Sequence, residues 1–436
     1  MNADLQAALA RGPLAAAELR RRLGVSQPSL SRLLREQWSD VAVLGRGRAS
    51  RYGWYRRIRE LDPELPVYRI SRGGEAQRIG NLLTLAPDRL WYSDLERPRA
   101  SAEHTSIPWF MTDMRPQGFL GRLFPSSHQD LDLPPRVADW SEDQALYALA
   151  RRGEDCVGNL VVGEESLARW VGRMHDDHPI AERDRRRQYG LRAQATLAGH
   201  APGSSAAGEQ PKFTAVLQRA GLGPIAVIVK FSPRASTAAG RRWADLLLAE
   251  WLAGEVLREH GHAAAAATLL QTDERSYLEV QRFDRVGERG RMGLVSLAAL
   301  DDEFIGERRG WGESAAGLLR ARMIDAEDAR ELRFLAGFGA LIANTDMHLG
   351  NASFLMSDNR RLRLAPAYDM LPMWHAPVGE ELPRRELRRP VPRPANADQW
   401  SAALPVARDY WSRLASERRI TPGFRRIAAE HASLLA

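Results

Sequence analysis

Lysine is almost absent from this chain of 436 residues, since only Lys212 and Lys230 among its 62 basic residues are lysines and the others are arginines. Lysine is normally among the commonest residues of a soluble domain. A GC-rich genome drives this replacement wherever arginine is tolerated. We therefore expect the two remaining lysines at sites that need a compact ammonium, which the planar guanidinium of arginine does not replace.

Cysteine and long apolar runs are also scarce. Cys156 stands alone, which excludes a disulfide within the chain and is typical of a reducing compartment. No apolar run approaches the roughly 20 residues of a membrane-spanning helix, and the first residues lack the charged and apolar regions of a signal peptide. We therefore expect a cytoplasmic protein that does not bind membranes, with two or three folding units.

Residues 1–60 form a distinct basic segment. They hold 12 arginines and five acidic residues, and this net charge of +7 equals the formal net charge of the whole chain. Apolar residues recur at helical spacing on both sides of Gly24, with Ser26 at the N-cap position of the second stretch. Two short apolar runs around residues 45–48 then predict a β-hairpin with arginines at its tip. This order of elements predicts a winged helix-turn-helix.

Such a module indicates binding to double-stranded DNA. Its second helix would enter the major groove, and its wing would contact phosphates or the minor groove. The side chains expected to face DNA are Gln27, Ser29, Arg32, Arg35, Arg46 and Arg48. The alternative is a small helical module for protein contacts, with its arginines as solvated surface.

The remaining chain predicts a larger α+β region. Residues 61–200 contain strand-like runs (VYRI, NLLTL, CVGNLVVG) and one helical stretch (DQALYALARRG), and the polar stretch 183–205 predicts a flexible connection. Alternation around a turn at residues 221–224 predicts a β-hairpin, which precedes a helix that ends at Gly261 and a further strand. The rest is mainly helical, including a stripe of Leu332, Leu335, Phe338 and Leu341 at core-facing spacing. The predicted domains are 1–60, 61–200, 201–285 and 286–436, with a two-lobed, protein-kinase-like arrangement after the winged module.

Each lysine has a neighbourhood suited to phosphate. The run GSSAAGEQPK before and including Lys212 is rich in small residues, which let backbone N–H groups approach a phosphate. It matches neither a Walker A motif nor G-x-G-x-x-G, so by itself an ordinary flexible loop is the simpler interpretation. Lys230 ends the apolar run IAVIVK, like the lysine of the V-A-I-K strand of kinases. Glu250 lies among apolar residues of the following helix, where a carboxylate is costly unless it is paired.

Two acidic motifs follow. In ANTDMHLGN, Asp346 and Asn351 are five residues apart, which is the interval between the base and the metal-binding asparagine of the kinase catalytic loop. His348 between them could support the loop or contact phosphate. Asp369, in LRLAPAYDML, follows a strand-like run and is suited to a Mg²⁺ that bridges phosphates. The alternatives are a polar loop, or a metal-dependent hydrolase site formed by Asp346 and His348.

In this order the motifs resemble the HipA-type serine/threonine kinases of bacterial toxin–antitoxin systems, over roughly residues 65–430. SAAGEQPKFTAVL is similar to the family's S-x-x-G-x-Q-x-K loop, VQRFDR to its hinge signature E-R-F-D-R, and LARRGEDCVGNLVV to its D-C-x-G strand. ANTDMHLGNASFLM resembles the catalytic loop, and LAPAYDMLP the metal-binding Y-D motif. The fused N-terminal module resembles the YjjJ-type subgroup, whereas most relatives receive a helix-turn-helix from a separate antitoxin.

The resemblance implies an ATP- and Mg²⁺-dependent kinase that phosphorylates a protein Ser or Thr and itself. It implies that Asp346 is the catalytic base, that Asn351 and Asp369 bind Mg²⁺, and that Lys230, supported by Glu250, holds the ATP phosphates. It also implies a phosphate loop that contains Gly208, Gln210 and Lys212, an adenine hinge at Gln281 and Phe283, and autophosphorylation at Ser205 or its neighbour Ser204. The implied partners are a protein substrate such as an aminoacyl-tRNA synthetase, and an antitoxin.

One alternative function stays open at this point. The chain could be a DNA-binding transcriptional regulator whose kinase-like domain senses nucleotide without turnover.

The basic run at residues 384–394 is interpreted as a solvated loop, with added phosphate contacts as its alternative.

Overall fold

The computed structural model describes residues 2–47, 50–172, 179–199, 210–219, 221, 223–358 and 360–436. The predicted site residues Arg48, Ser205 and Gly208 lie outside these ranges. The chain divides into two compact units, Met1–Arg115 with Ala138–Asp176, and Pro116–Val137 with Asp177–Ala436. In the described ranges, no helix has the length and apolar character that crossing a membrane requires.

The secondary structure mixes helices and strands in both units. The helices are α1 (Asn2–Leu9), α2 (Ala16–Leu23), α3 (Gln27–Glu36), α4 (Gly118–Ser127), α5 (Glu142–Arg152), α6 (Glu164–Gly172), α7 (Arg185–Ala198), α8 (Ala238–Glu259), α9 (Leu297–Phe304), α10 (Trp311–Arg320), α11 (Ala326–Leu341), α12 (Ala397–Ser416) and α13 (Pro422–Leu435). The strands are β1 (Leu14–Ala15), β2 (Val41–Leu44), β3 (Arg51–Trp54), β4 (Glu64–Ile70), β5 (Ala76–Leu85), β6 (Arg89–Asp94), β7 (Ala102–His104), β8 (Leu160–Val162), β9 (Ile180–Ala181), β10 (Lys212–Arg219), β11 (Gly223–Phe231), β12 (Ala267–Gln271), β13 (Ser276–Gln281), β14 (Arg285–Val286), β15 (Gly290–Arg291), β16 (Gly293–Ser296), β17 (Ser353–Met356) and β18 (Leu362–Leu364).

The N-terminal segment consists of α1–α3 and a three-stranded sheet in the order β1-β3-β2. Gly24 ends α2 in the left-handed region with φ +64°, and the Ser26 hydroxyl accepts a hydrogen bond from the backbone N–H of Ser29 at the start of α3. These are the two helix boundaries that the sequence predicts. Apolar residues of all three helices form one core, which includes Leu5, Leu9, Leu19, Leu30, Leu33 and Leu34.

The β2 strand also packs on the middle part of the first unit, whose sheet has the order β7-β6-β5-β4-β8. Ala42 and Leu44 of β2 share a buried cluster with Leu83 and Leu85 of β5. The Arg51 guanidinium lies 2.7 Å from a carboxylate oxygen of Glu103. The N-terminal segment therefore has one core of its own and a second core that it shares with the middle sheet.

The second unit contains a five-stranded sheet in the order β12-β13-β11-β10-β9. One face of this sheet is covered by α7, a helix that the sequence analysis missed because the stretch 183–205 predicted a flexible connection. That prediction is wrong for Arg185–Ala198. Tyr189 and Ala193, one helical turn apart, are buried against Phe213 and Phe231 of the sheet, and this apolar contact stabilises a helix whose other residues are mostly polar.

The rest of the second unit is mainly helical, as predicted, with a small sheet in the order β16-β17-β18. The predicted stripe on α11 is buried, and its members are Leu332, Leu335, Phe338 and Leu341. Strand β11, helix α8 and the loops on either side of β17 and β18 supply the residues of the candidate site.

Candidate active site

Lys230 lies near the end of β11 and is 6% exposed. Its Nζ donates a hydrogen bond to Glu250 Oε1 of α8 at 2.6 Å, so the predicted ion pair is present. It also donates to Asp369 Oδ1, which joins a third element to the pair. Burial alone would lower the pKa of Lys230, but the two carboxylates raise it, so the ammonium stays charged.

The two carboxylates respond differently to this environment. Burial raises the pKa of Glu250, and the charge of Lys230 offsets only part of that effect. Burial also acts to raise the pKa of Asp369, but Lys230 and Lys212 outweigh it and lower the value to about 2. Asp369 is therefore ionised at neutral pH. Its backbone has φ +56°, a left-handed conformation that is uncommon for a residue other than glycine and that occurs at functional sites.

Lys212 lies directly opposite Lys230 in the antiparallel pair of β10 and β11. Directly opposed residues of such a pair place their side chains on one face, where like charges repel each other. The arrangement is stable because the carboxylates of Glu250 and Asp369 lie on the same side. Two ammonium groups on neighbouring strands also form a site that suits an anion with several oxygens.

Gln210 connects the residues before β10 to the end of β11. Its Nε2 donates to the carbonyl oxygen of Phe231 at 2.6 Å, one residue after Lys230. Its Oε1 is buried and has no hydrogen-bond partner among the described residues. The part of the predicted phosphate loop that the structure describes is therefore held beside Lys230.

The predicted catalytic loop follows α11. Asn351 Nδ2 donates to the backbone oxygen of Asp346 at 2.8 Å, which leaves the Oδ1 of Asn351 as an acceptor. His348 caps the next turn, since its Nδ1 accepts from the N–H of Gly350 at 3.1 Å. The backbone oxygen of His348 accepts from Trp311 Nε1 at 3.0 Å. His348 thus fixes the loop between Asp346 and Asn351.

Asn344, which no sequence pattern singled out, ties the predicted catalytic loop to Asp369. Its side chain is buried; its Nδ2 donates to the backbone oxygen of Asp369 at 3.2 Å, and its Oδ1 accepts from the N–H of Asp346 at 3.0 Å. A second tie joins the hydroxyl of Tyr368 to the backbone oxygen of Gly350 at 3.0 Å. The available signal was an asparagine three residues after the end of α11, where an asparagine side chain favours local backbone hydrogen bonds.

The predicted hinge follows β13. The N–H of Gln281 donates to the backbone oxygen of Ala266 at 2.8 Å, and the ring of Phe283 lies 5.8 Å from that of Tyr368. A small cleft lies beside Glu250 and Asp369. Small and apolar residues line most of the rest of it, including Gly254, Ala265, Ala267, Val280 and Ala367.

The residues present fit a hard divalent cation such as Mg²⁺. Asp369 is ionised, and Asn351 has an amide oxygen available. Mg²⁺ takes oxygen ligands, typically one or two from protein side chains together with waters and substrate phosphates. Within the described ranges, no three His, Cys, Asp or Glu side chains converge on one metal position, so a cage built wholly from such side chains is not seen there.

The residues predicted to face DNA lie in the first unit. Gln27, Arg32 and Arg35 are exposed on α3, and Arg46 is exposed between β2 and β3. Ser29 is only half-exposed, and its hydroxyl lies 2.9 Å from that of Ser26. Ser29 therefore takes part in the helix cap.

Comparisons with known proteins place the chain among bacterial toxins. Residues 61–171 match the family described as YjjJ-like toxin, middle domain, and residues 204–431 match the HipA-like C-terminal domain. Toxin YjjJ of Escherichia coli (strain K12) is 35% identical over 443 residues, which cover 98% of this chain and 96% of that protein.

Two solved structures show more distant likeness. The HipA chain of the Shewanella oneidensis MR-1 toxin–antitoxin system, in complex with HipB and operator DNA, is 14% identical with a TM-score of 0.47, covering 85% of this chain and 95% of that chain. The proinflammatory kinase CtkA of Helicobacter pylori is 16% identical with a TM-score of 0.35, covering 53% of this chain and 87% of that chain.

Proposed function

Because this chain belongs to the family of YjjJ-like toxins with a HipA-like, kinase-type C-terminal domain, we propose that it transfers the γ-phosphate of ATP to a Ser or Thr of a protein. The observation that carries the proposal is the ion-pair cluster of Lys230, Glu250 and Asp369, which Asn344 connects to Asp346. This arrangement supports the proposal because groups suited to bind phosphate, to bind a metal and to accept a proton belong to connected loops and strands.

Each group has a role that its contacts support. Lys230 and Lys212 bind the ATP phosphates, and Glu250 keeps the ammonium of Lys230 in position. Asp369 and Asn351 would hold Mg²⁺, which supplies charge neutralisation at the phosphates. Asp346 orients the substrate hydroxyl and accepts its proton, while its backbone is fixed by Asn344 and Asn351.

Gln281 and Phe283 would contact the adenine through their backbone. The N–H of Arg282, between them, already donates to Ala226 O at 2.9 Å. No backbone hydrogen bond occupies the N–H of Phe283 among the described residues, so it is available to an adenine nitrogen.

Autophosphorylation at Ser205, or at Ser204 beside it, would regulate this site. A phosphoserine adds nearly two negative charges and competes for the cations that bind ATP phosphates. Gly208 would allow the loop backbone to approach those phosphates. All three lie outside the described residues, so this proposal depends on the sequence and on the position of Gln210 and Lys212.

We also propose that residues 1–60 form a winged helix-turn-helix that binds double-stranded DNA. Support comes from the exposed Gln27, Arg32 and Arg35 on α3, from Arg46 between the two strands of the wing, and from the net charge of this segment. An aminoacyl-tRNA synthetase as substrate and a separate antitoxin as partner are proposals that the family resemblance supports.

The test of the kinase proposal is Asp346→Asn in the full chain, with transfer from γ-labelled ATP to a host lysate and to the protein itself. We expect transfer to fall by about 10³-fold or more while ATP binding is retained. Asp273→Asn, an exposed carboxylate on the turn between β12 and β13, is the matched control. Undiminished transfer in D346N would refute the proposal, and mass spectrometry of the labelled lysate would identify the substrate.

A wild-type protein that binds ATP without any transfer would instead favour the regulator with an inactive, nucleotide-sensing domain.

A further inference from the structure

A basic segment follows the candidate active site along the chain. Residues 382–393 form neither helix nor strand and contain five arginines against one acidic residue, Glu386. The arginines are Arg384, Arg385, Arg388, Arg389 and Arg393. Three prolines in the same segment, at positions 383, 390 and 392, limit its backbone freedom.

The basic segment is flanked by local turns and contacts Trp374 between them. Before it, Val378 and Glu381 exchange backbone hydrogen bonds of 3.0 and 3.1 Å. At its end, the N–H of Arg393 donates to the Oδ1 of the buried Asn396 at 2.9 Å. Between these points, the guanidinium of Arg385 lies 4.6 Å from the ring centroid of Trp374. The segment therefore has a defined position on the second unit.

That position borders the proposed catalytic loop. The N–H of Trp374 donates to the backbone oxygen of Ala343 at 3.0 Å. Ala343 precedes Asn344, whose side chain binds both Asp346 and Asp369. Trp374, whose ring contacts Arg385, is thus connected through one backbone hydrogen bond to the loop that contains the proposed base Asp346.

Most of the positive charge in the basic segment is not neutralised. Arg384 and Arg389 are exposed and have no carboxylate partner among the described residues. Arg388 lies 3.3 Å from Glu386, but both side chains are largely exposed, and such surface pairs are weak. Val391, 74% exposed, adds an apolar contact surface to the same segment.

We propose that the basic segment is a docking surface for an acidic protein segment next to the Ser or Thr that is phosphorylated. This proposal rests on the proposed kinase function and specifies its substrate class. Charge complementarity favours carboxylate-rich chains, and the prolines reduce the entropy lost when the segment binds. A protein is favoured over a nucleic acid because the basic segment has no aromatic residue for base stacking, and Arg385 already covers a face of Trp374.

The test measures binding and does not require turnover. A fluorescent Ser-containing peptide rich in glutamate, its glutamine version, and a single-stranded RNA of equal charge are titrated by anisotropy with the full chain and a non-hydrolysable ATP analogue. We expect the glutamate peptide to bind at least about tenfold more tightly than the glutamine peptide. R384E/R389E should abolish this preference, and R320E/R426E, which reverses two exposed arginines on α10 and α13, should retain it.

Equal binding of the two peptides, or a preference that survives in R384E/R389E, would overturn the proposal. Tighter binding of RNA than of the glutamate peptide, dependent on Arg384 and Arg389, would also overturn it and assign the surface to nucleic acid. If the wild-type protein transfers no phosphate, the kinase function is refuted. The peptide titrations still decide, independently of that result, whether the basic segment binds acidic peptides.

Discussion

Lys212 and Lys230 are cross-strand partners, with their Cα atoms opposite each other in β10 and β11. Two like charges in this position destabilise a sheet unless opposite charges lie close by. Glu250 and Asp369 supply those charges, but both contact Lys230. The two lysines therefore share the proposed phosphate-binding position but differ in their ion pairs, so we expect the folded chain to depend on them unequally.

The first prediction uses this difference. Lys230→Met leaves the buried Glu250 without its cation and should lower the free energy of unfolding by about 3–5 kcal/mol. Lys212→Met removes a half-exposed charge and should cost less than about 1 kcal/mol. Both variants should bind ATP more weakly than the wild type. Urea unfolding and ATP titration measure the two effects, and equal destabilisation by the two variants would contradict this account.

The second prediction concerns Glu279, whose side chain is fully buried on the opposite face of the same sheet. It accepts hydrogen bonds from Arg185 and Tyr189 of α7, both at 2.9 Å, and from Arg219 of β10 at 3.1 Å. The first two attach α7 to β13. Glu279→Gln removes the carboxylate charge that pairs with both Arg185 and Arg219 and should destabilise the chain by about 3 kcal/mol. Tyr189→Phe should cost about 1 kcal/mol, because the arginines still satisfy the carboxylate.

Glu274→Gln, at an exposed position in the turn before β13, is the matched control and should change stability by less than about 0.5 kcal/mol. If the urea midpoints of the variants at Glu279 and Glu274 coincide, α7 is not held by this network.

The same helix shows why local patterns predict some elements and miss others. The boundaries of α2 and α3 follow from Gly24 and Ser26, which act on backbone groups within a few residues. The Lys230–Glu250 pair was predictable because a carboxylate among apolar residues needs a partner. By contrast, α7 is stabilised by Glu279 and by sheet residues far along the chain, so its own polar sequence gives little sign of it.

The site shows a similar division. Asp346, Asn351 and Asp369 were singled out by residue type, spacing and family resemblance, and their roles stay predictions, whereas Asn344 was missed because its side chain makes two contacts to backbone atoms that no motif indicates. Which segments pack together is likewise a tertiary property: residues 116–137 belong to the second compact unit although they lie within the sequence of the first.

The third prediction tests the N-terminal module with electrostatics. If Arg32 of α3 and Arg46 of the wing each contact one phosphate, Arg32→Ala and Arg46→Ala should each reduce the slope of log affinity against log salt by about one. Arg72→Ala, at an exposed position in the turn between β4 and β5, should leave the slope unchanged. Fluorescence anisotropy with a random-sequence duplex measures these slopes. A wild-type protein that does not bind duplex DNA at low salt would exclude the DNA-binding function.

The fourth prediction concerns two buried histidines, His375 and His431, whose Nε2 atoms lie 2.8 Å apart. Burial lowers the pKa of His431 from 6.5 to about 4. The pKa of His375 is lowered from 6.5 to about 3, mainly by burial and further by the nearby charges of His431, Arg242 and Arg385. Between pH 6.5 and about 4 the unfolded chain therefore binds protons that the folded chain does not. The free energy of unfolding is therefore undiminished by these histidines above pH 6.5. It decreases as the pH falls through this window, by up to about 3 kcal/mol for each histidine.

Urea unfolding of the full chain at a series of pH values tests this account. His431→Phe removes one titrating group and should flatten the dependence of stability on pH between 6.5 and 4, even though the variant is less stable at neutral pH. Trp411→Phe is the matched control, since the Trp411 ring stacks on His431 at 4.1 Å and its replacement destabilises the same core without removing a histidine. That variant should keep the wild-type slope. A wild-type slope in His431→Phe would mean that other groups cause the acid sensitivity.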